Sequence, residues 1–171
     1  RPLDELELQV AGDLLQGADK GILPAIEIAR RAGLPLKVAA KVDPVDRRYF
    51  EEMVRPVLAE SPHVEFIGEI NDARKPDFLG KAKALLFPIS WPEPFGLVMI
   101  EAMACGTPVV AFNSSSVPEV MEDGLTGFVV NDIDGAVAAV NRLDRLYRPT
   151  IRSRFEERFS AGAMARDYLQ L

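Results

Sequence analysis

Glu93 and Glu101 stand eight residues apart in WPEPFGLVMIEAMACGTPVVAF, Trp91 to Phe112. The rest of that stretch is almost wholly apolar, apart from three prolines and two glycines. Two carboxylates at this spacing can act together if a helix brings them to one side. With Pro94 or Phe95 as the first helical position, Glu93 sits at the helix mouth and Glu101 about two turns inside. Eight helical residues rise ~12 Å and turn through ~800°, which leaves the pair within roughly a quarter turn of each other. The amides of Phe95, Gly96 and Leu97 then point out of the helix start, into the positive end of its dipole, where an anion is favoured. Gly96 has no Cβ and lets a ligand approach the backbone. Phosphate at the amides, with one carboxylate in front and one beside the helix, is a geometry that suits a nucleotide sugar. The glutamates would accept hydrogen bonds from sugar and ribose hydroxyls. The plainer reading has Glu93 favouring the helix dipole by ~0.3–1 kcal/mol and Glu101 facing solvent. Against it, Val98, Met99, Ile100, Ala102, Met103 and Ala104 surround Glu101, and a lone buried carboxylate is costly. Pattern alone leaves both readings open.

Other reactive residue types offer less. Cys105 has no His or Asp near it in sequence and reads as a small core residue rather than a nucleophile. His63, the one histidine, precedes a strand and reads as a loop residue. Trp91 could stack on a sugar or base, or simply pack its loop. Lys20 by itself is an ordinary helix-start charge. Lys75 and Lys81 read as solvated, with Lys75 also placed to line a cleft. Arg30–Arg31 and Arg47–Arg48 lie on exposed helix faces.

The elements that must position these residues alternate regularly. Strands are predicted over residues 6–12, 36–41, 64–68, 84–89, 108–112 and 127–130. Ile22 to Gly33 is a helix with Ile22, Ile26, Ala29 and Ala32 on one face; Gly33 stops it and Pro35 follows. A helix over 43–61 opens with Asp43 as N-cap and Pro44 at its first position, and Pro56 ends or kinks it. Shorter helices are predicted over 75–82, 95–106 and 117–124. Three helical segments, 132–143, 149–159 and 161–171, close the chain. Continuous apolar strands alternating with helices predict an α/β fold: a doubly wound, Rossmann-like, six-stranded parallel sheet covered on both faces, plus C-terminal helices. Ligands of such folds sit at the carboxyl ends of the strands, which points to the loops after Gly12, Lys41, Gly68, Ile89 and Phe112.

Composition narrows the function classes. The 171 residues suit one domain, with 48% apolar and 27% charged residues. A net charge of −6 argues against a general nucleic-acid or anionic-membrane surface. No apolar run is long enough to span a bilayer. A single cysteine and a single histidine exclude an internal disulfide and a His/Cys zinc cluster, and fit a reducing, cytoplasmic setting. The chain opens at Arg1 and runs almost at once into a strand, which suggests a domain excised from a longer protein.

EPFGLVMIEAMACGTPVVAF followed by SVPEVMEDGLTGFVV closely resembles the signature of the family 4 (group 1) retaining glycosyltransferases, enzymes of GT-B fold in which two Rossmann-like domains face a cleft. Glu93-x7-Glu101 matches their E-x7-E motif. VAGDLLQGADKG resembles their first strand and phosphate loop, LPLKVAAKVD the second strand, VEFIGEINDARKPDFLGKAKALLFPISW the run before the motif, and RFEERFSAGAMARDYLQL the closing helices. The resemblance covers essentially the whole chain. It implies the C-terminal, donor-binding domain of a bacterial hexosyltransferase whose N-terminal acceptor domain is absent, with a nucleotide diphosphate sugar (a UDP- or GDP-hexose) as partner. It implies no cofactor and no metal, the leaving group being stabilised by Arg, Lys and the helix dipole instead.

By the same resemblance, Glu93 contacts the donor sugar and Lys20 supplies charge to the leaving diphosphate. Phe95, Gly96 and Leu97 cradle phosphate and sugar, Glu101 binds the ribose hydroxyls, Gly68, Glu69 and Ile70 meet the base, and Gly12 opens the phosphate loop. The isolated domain is then expected to bind donor and to transfer nothing. Three positions depart from the family pattern. Asp13 follows Gly12 where Arg is usual, and an unpaired carboxylate about 4 Å from a phosphate charge costs up to about 4 kcal/mol at an effective dielectric near 20. Ser115 stands where a glycine usually precedes SVPEV, and Ala40 where glycine is common. The alternative to an enzyme domain is a non-catalytic nucleotide-sugar-binding module with a degenerate phosphate grip. A nucleotide-sugar epimerase of GT-B fold is a further reading, against which the EPFGLVMIEAMACGTP spacing argues.

Overall fold

The computed structural model describes residues 7–11, 21–90 and 96–170. Six strands form one sheet: β1 (Leu8–Ala11), β2 (Leu36–Ala39), β3 (Val64–Phe66), β4 (Ala84–Phe87), β5 (Val109–Phe112) and β6 (Gly127–Val130). Their order is β3-β2-β1-β4-β5-β6, and every pairing is parallel. The order reverses between β1 and β4, the point at which doubly wound sheets open a crevice for ligands. The chain leaves β1 after Ala11 and β4 after Phe87 at that point.

Helix α1 (Ile22–Ala32) starts beside it, where Gly21 comes so close to Pro88 that an added Cβ would lie 3.0 Å from the Pro88 carbonyl oxygen. Ile22, Ile26 and Ala29 are buried as their spacing predicts, and Ala25 and Ile28 are buried too. The wider face follows from α1 packing against both the sheet and α7 (Ile133–Val140). Gly33 ends α1 with its N–H on the Ala29 and Arg30 carbonyls.

The predicted helix over 43–61 is a composite. A 3-10 turn (Pro44–Asp46) leads into α2 (Arg47–Tyr49), a π-helical stretch (Phe50–Val54) and α3 (Arg55–Ala59). Pro56 neither ends nor breaks it. The π turn immediately before widens the helix, with Arg55 N–H reaching back to Phe50 O, where a proline would otherwise clash and lack a donor. Asp43 does not cap: its side chain pairs with Lys41 at 3.2 Å instead.

Strands β2 and β3 correct one expectation. Among the described positions β4 is buried throughout, as are Leu8, Gln9 and Val10 of β1; β2 and β3 are not. Gln9, Lys37 and Glu65 lie side by side in register across β1, β2 and β3. They share a cavity of about 290 Å³ with Asp77, Phe78 and Lys81. The polar row faces α4 (Lys75–Gly80), whose six residues are too few to cover three strands. Helices α5 (Leu97–Ala104) and α6 (Val117–Val120) follow β4 and β5. At the end of the chain, α8 (Arg148–Arg158) packs on α5, burying Ile151, and α9 (Ala161–Leu169) packs on α8.

Candidate functional site

Helix α5 begins at Leu97, not at Pro94 or Phe95. Its N-cap is Gly96, held at φ 57°, ψ 53°. That left-handed conformation cannot belong to a right-handed helix, so the helix cannot start earlier. It also explains the residue type. A Cβ on Gly96 would run into Met99 Cε and come within 3.4 Å of the Phe87 ring. The first amides without intrahelical partners are those of the residues at and just after this cap. Met99 N–H already bonds Gly96 O at 2.9 Å, so the orphan donors belong to the first turn, around Leu97 and Val98.

Glu101 proves to be neither buried nor alone. Met99, Ala102 and Met103 are buried, whereas Leu97 is 64% exposed and the Glu101 side chain 38%. Leu97 and Glu101, four residues apart, form the outward stripe of a helix whose other faces are packed. Glu101 Oε2 accepts from Lys75 Nζ at 3.1 Å, and the same ammonium reaches Asp72 Oδ1 at 3.5 Å. Lys75 is the first residue of α4, delivered there by a turn in which Asn71 Oδ1 accepts from Arg74 N–H at 2.9 Å. Burial works against the Lys75 charge, but the hydrogen bonds and fields of Glu101 and Asp72 outweigh it and raise its pKa. The pair borders a groove of about 480 Å³ that continues past Pro76 and Leu79 to Cys105 and Arg152. Cys105 Sγ donates to Pro76 O at 3.6 Å, and burial pushes its thiol pKa up despite the nearby Arg152 and Arg148. That is the chemistry of a packed thiol, not of a nucleophile.

Gly68, Glu69 and Ile70 follow β3 at the outer end of the sheet. Ile67 N–H extends the ladder to Val38 O at 2.9 Å, and Gly68 then turns the chain at φ 77°. Glu69 is exposed, and Ile70 packs partly on the core. The structure thus gathers Gly96, Leu97 and Glu101 on α5 and sets α4 beside them, with Gly68 to Ile70 on the segment leading into α4. Gly12, Lys20, Glu93 and Phe95 lie outside the described residues, as do Asp13 and Trp91. Lys75 is the partner that sequence reasoning left unassigned. Its signal was a lysine just before a proline at the start of a predicted helix. Among the described residues no group of His, Cys, Asp and Glu is arranged to hold a metal ion, and no helix is long and apolar enough to cross a membrane.

The model of the family described as glycosyl transferases group 1 matches residues 47–160, more than half of the chain. The chain belongs to this family. Among relatives of this group 1 member is the phosphatidyl-myo-inositol mannosyltransferase of Mycobacterium leprae, 36% identical over 103 residues that cover 60% of this chain and 27% of that protein. The D-inositol 3-phosphate glycosyltransferase of Streptomyces scabiei is 41% identical over 76 residues, 44% of this chain and 17% of that one. Sucrose-phosphate synthase from Thermosynechococcus elongatus superposes with a TM-score of 0.80 at 28% identity, over 99% of this chain and 45% of that one. The Anabaena HepE structure in complex with UDP and glucose superposes with a TM-score of 0.79 over 99% of this chain and 50% of that one; at 20% identity this is a likeness of fold. The group 1 chain therefore spans about half of these solved chains and less than a third of these curated relatives.

Proposed function

We propose that this group 1 chain is the C-terminal, donor-binding domain of a bacterial, cytoplasmic, retaining family 4 glycosyltransferase. It binds a nucleotide diphosphate hexose, a UDP- or GDP-sugar, for transfer to an acceptor held mainly by an N-terminal domain. The observation that carries this reading is α5: a left-handed Gly96 cap opening a helix that follows the switch-point strand β4, with Glu101 on its outward stripe. Orphan amides at that cap suit a phosphate, and a carboxylate one turn further suits ribose hydroxyls. In this reading Glu93 holds the donor sugar at its reacting end. Lys20 and the Gly12 loop take the leaving diphosphate, Phe95, Gly96 and Leu97 offer their amides, and Gly68, Glu69 and Ile70 meet the base. Transfer then rests on positioning and on stabilising the leaving group rather than on a strong base. The transferase names of the relatives, and the half-length match to the solved chains, support it.

Calorimetric titration of the chain with UDP, GDP, ADP and UDP-glucose tests the reading. Binding of one nucleotide, abolished in Glu101→Ala, is the expected result. Glycosyl transfer to an added acceptor by this chain alone would overturn the assignment of the acceptor site to another domain.

A further inference from the structure

We propose that Lys75 is a positioning residue for Glu101: its ammonium ties down one carboxylate oxygen so that the other faces the ribose hydroxyls of the donor, and it cancels a charge that would repel the diphosphate. This rests on the donor-site reading above. Lys75 Nζ stands 3.1 Å from Glu101 Oε2, and among the described residues Oε1 carries no hydrogen bond. Within the described residues, one oxygen is engaged and the other is free to accept. Asp72, the second partner, is fully exposed and longer at 3.5 Å, so the Glu101 contact dominates. The lysine is not a mobile surface group. Three quarters of its side chain is withdrawn from water, and it occupies the first position of α4, where a cation runs against the helix dipole. Both placements oppose a free charge and fit one held by a carboxylate on the neighbouring helix. The contact also restricts Glu101 rotamers, so that less freedom remains to be lost when a ribose arrives.

The test is calorimetry on the whole chain with the nucleoside diphosphate it binds and with the 2′- and 3′-deoxy forms of that nucleotide. The unaltered protein is expected to favour the ribonucleotide at least tenfold over one deoxy form. Lys75→Met is expected to weaken the ribonucleotide about tenfold and to bring the preference close to one, with an unchanged thermal midpoint. Lys75→Arg is expected to restore most of the preference. A Lys75→Met protein that keeps the full preference overturns the positioning role and leaves the donor site standing. Failure of the unaltered, folded protein to bind any of the diphosphates overturns the donor reading, and the role of Lys75 with it.

Discussion

Arg148 Nη2 donates to Thr107 Oγ1 at 3.0 Å, and Thr107 Oγ1 donates onward to Leu79 O at 2.7 Å. The same guanidinium reaches Gly80 O at 2.9 Å and Ala82 O at 2.8 Å. One side chain from the start of α8 therefore ties the end of α4 to the turn after α5. These are the helices that carry Lys75 and Glu101. Arg148→Met is predicted to lower stability by about 3 kcal/mol, since it strands several partly buried acceptors. Arg148→Lys is predicted to recover less than half of that, because an ammonium lacks the planar fork. Urea unfolding midpoints read both.

Ser115 is held at φ 49°, the sole non-glycine residue with positive φ among those described. The geometry favours glycine there, since a β-carbon in this region meets the following carbonyl oxygen. Ser115→Gly is predicted to raise stability by about 0.5–1 kcal/mol, the relief of strain exceeding the entropy glycine adds to the unfolded chain. Ser115→Val is predicted to lower it by about 1–2 kcal/mol, branching being worst at positive φ. Thermal melts of the two variants should move in opposite directions.

Gly96→Ala tests the cap of α5. The substitution adds strain at φ 57° and forces the Met99 side chain aside. A loss of about 1–2 kcal/mol in stability is predicted, together with weaker nucleotide binding, since the backbone could no longer present its amides at that corner. Stability from denaturation and affinity from calorimetry separate the two effects.

Cys105 is predicted to react slowly. Its pKa is raised by burial, so at pH 8 a smaller fraction is thiolate than in a free thiol, and a disulfide reagent should label it at least about tenfold more slowly than N-acetylcysteine. The folded state holds the thiol proton more tightly than the unfolded state does. The resulting stabilisation is present below the unfolded thiol's pKa and is lost as pH rises through the folded one. Labelling that keeps pace with the free thiol would show that Sγ is not held beneath Pro76.

Much of the fold was legible from local sequence. Each of the six strands was recognised as a run of apolar residues, and the helices fell between them, because backbone periodicity and caps act over a few residues. Errors arose where distant chain decides. The β1–β3 strands alternate at Gln9, Lys37 and Glu65, yet they read as uniformly apolar because Leu8, Val10, Leu36, Val38 and Phe66 dominate each short run. The helix across Pro56 survives because a π turn absorbs the proline.

The sequence by itself determined the order of strands and helices, the family and the two glutamates at their spacing, since all three are written in residue types that lie near one another along the chain. Tertiary structure alone decided what surrounds Glu101. Its apolar neighbours left a costly buried carboxylate and a solvent-facing one both open. Only the packing of α4 against α5 turns it outward and brings Lys75, 26 residues earlier in the chain, to 3.1 Å. An ion pair between two helices depends on how those helices pack, and no local pattern encodes that distance.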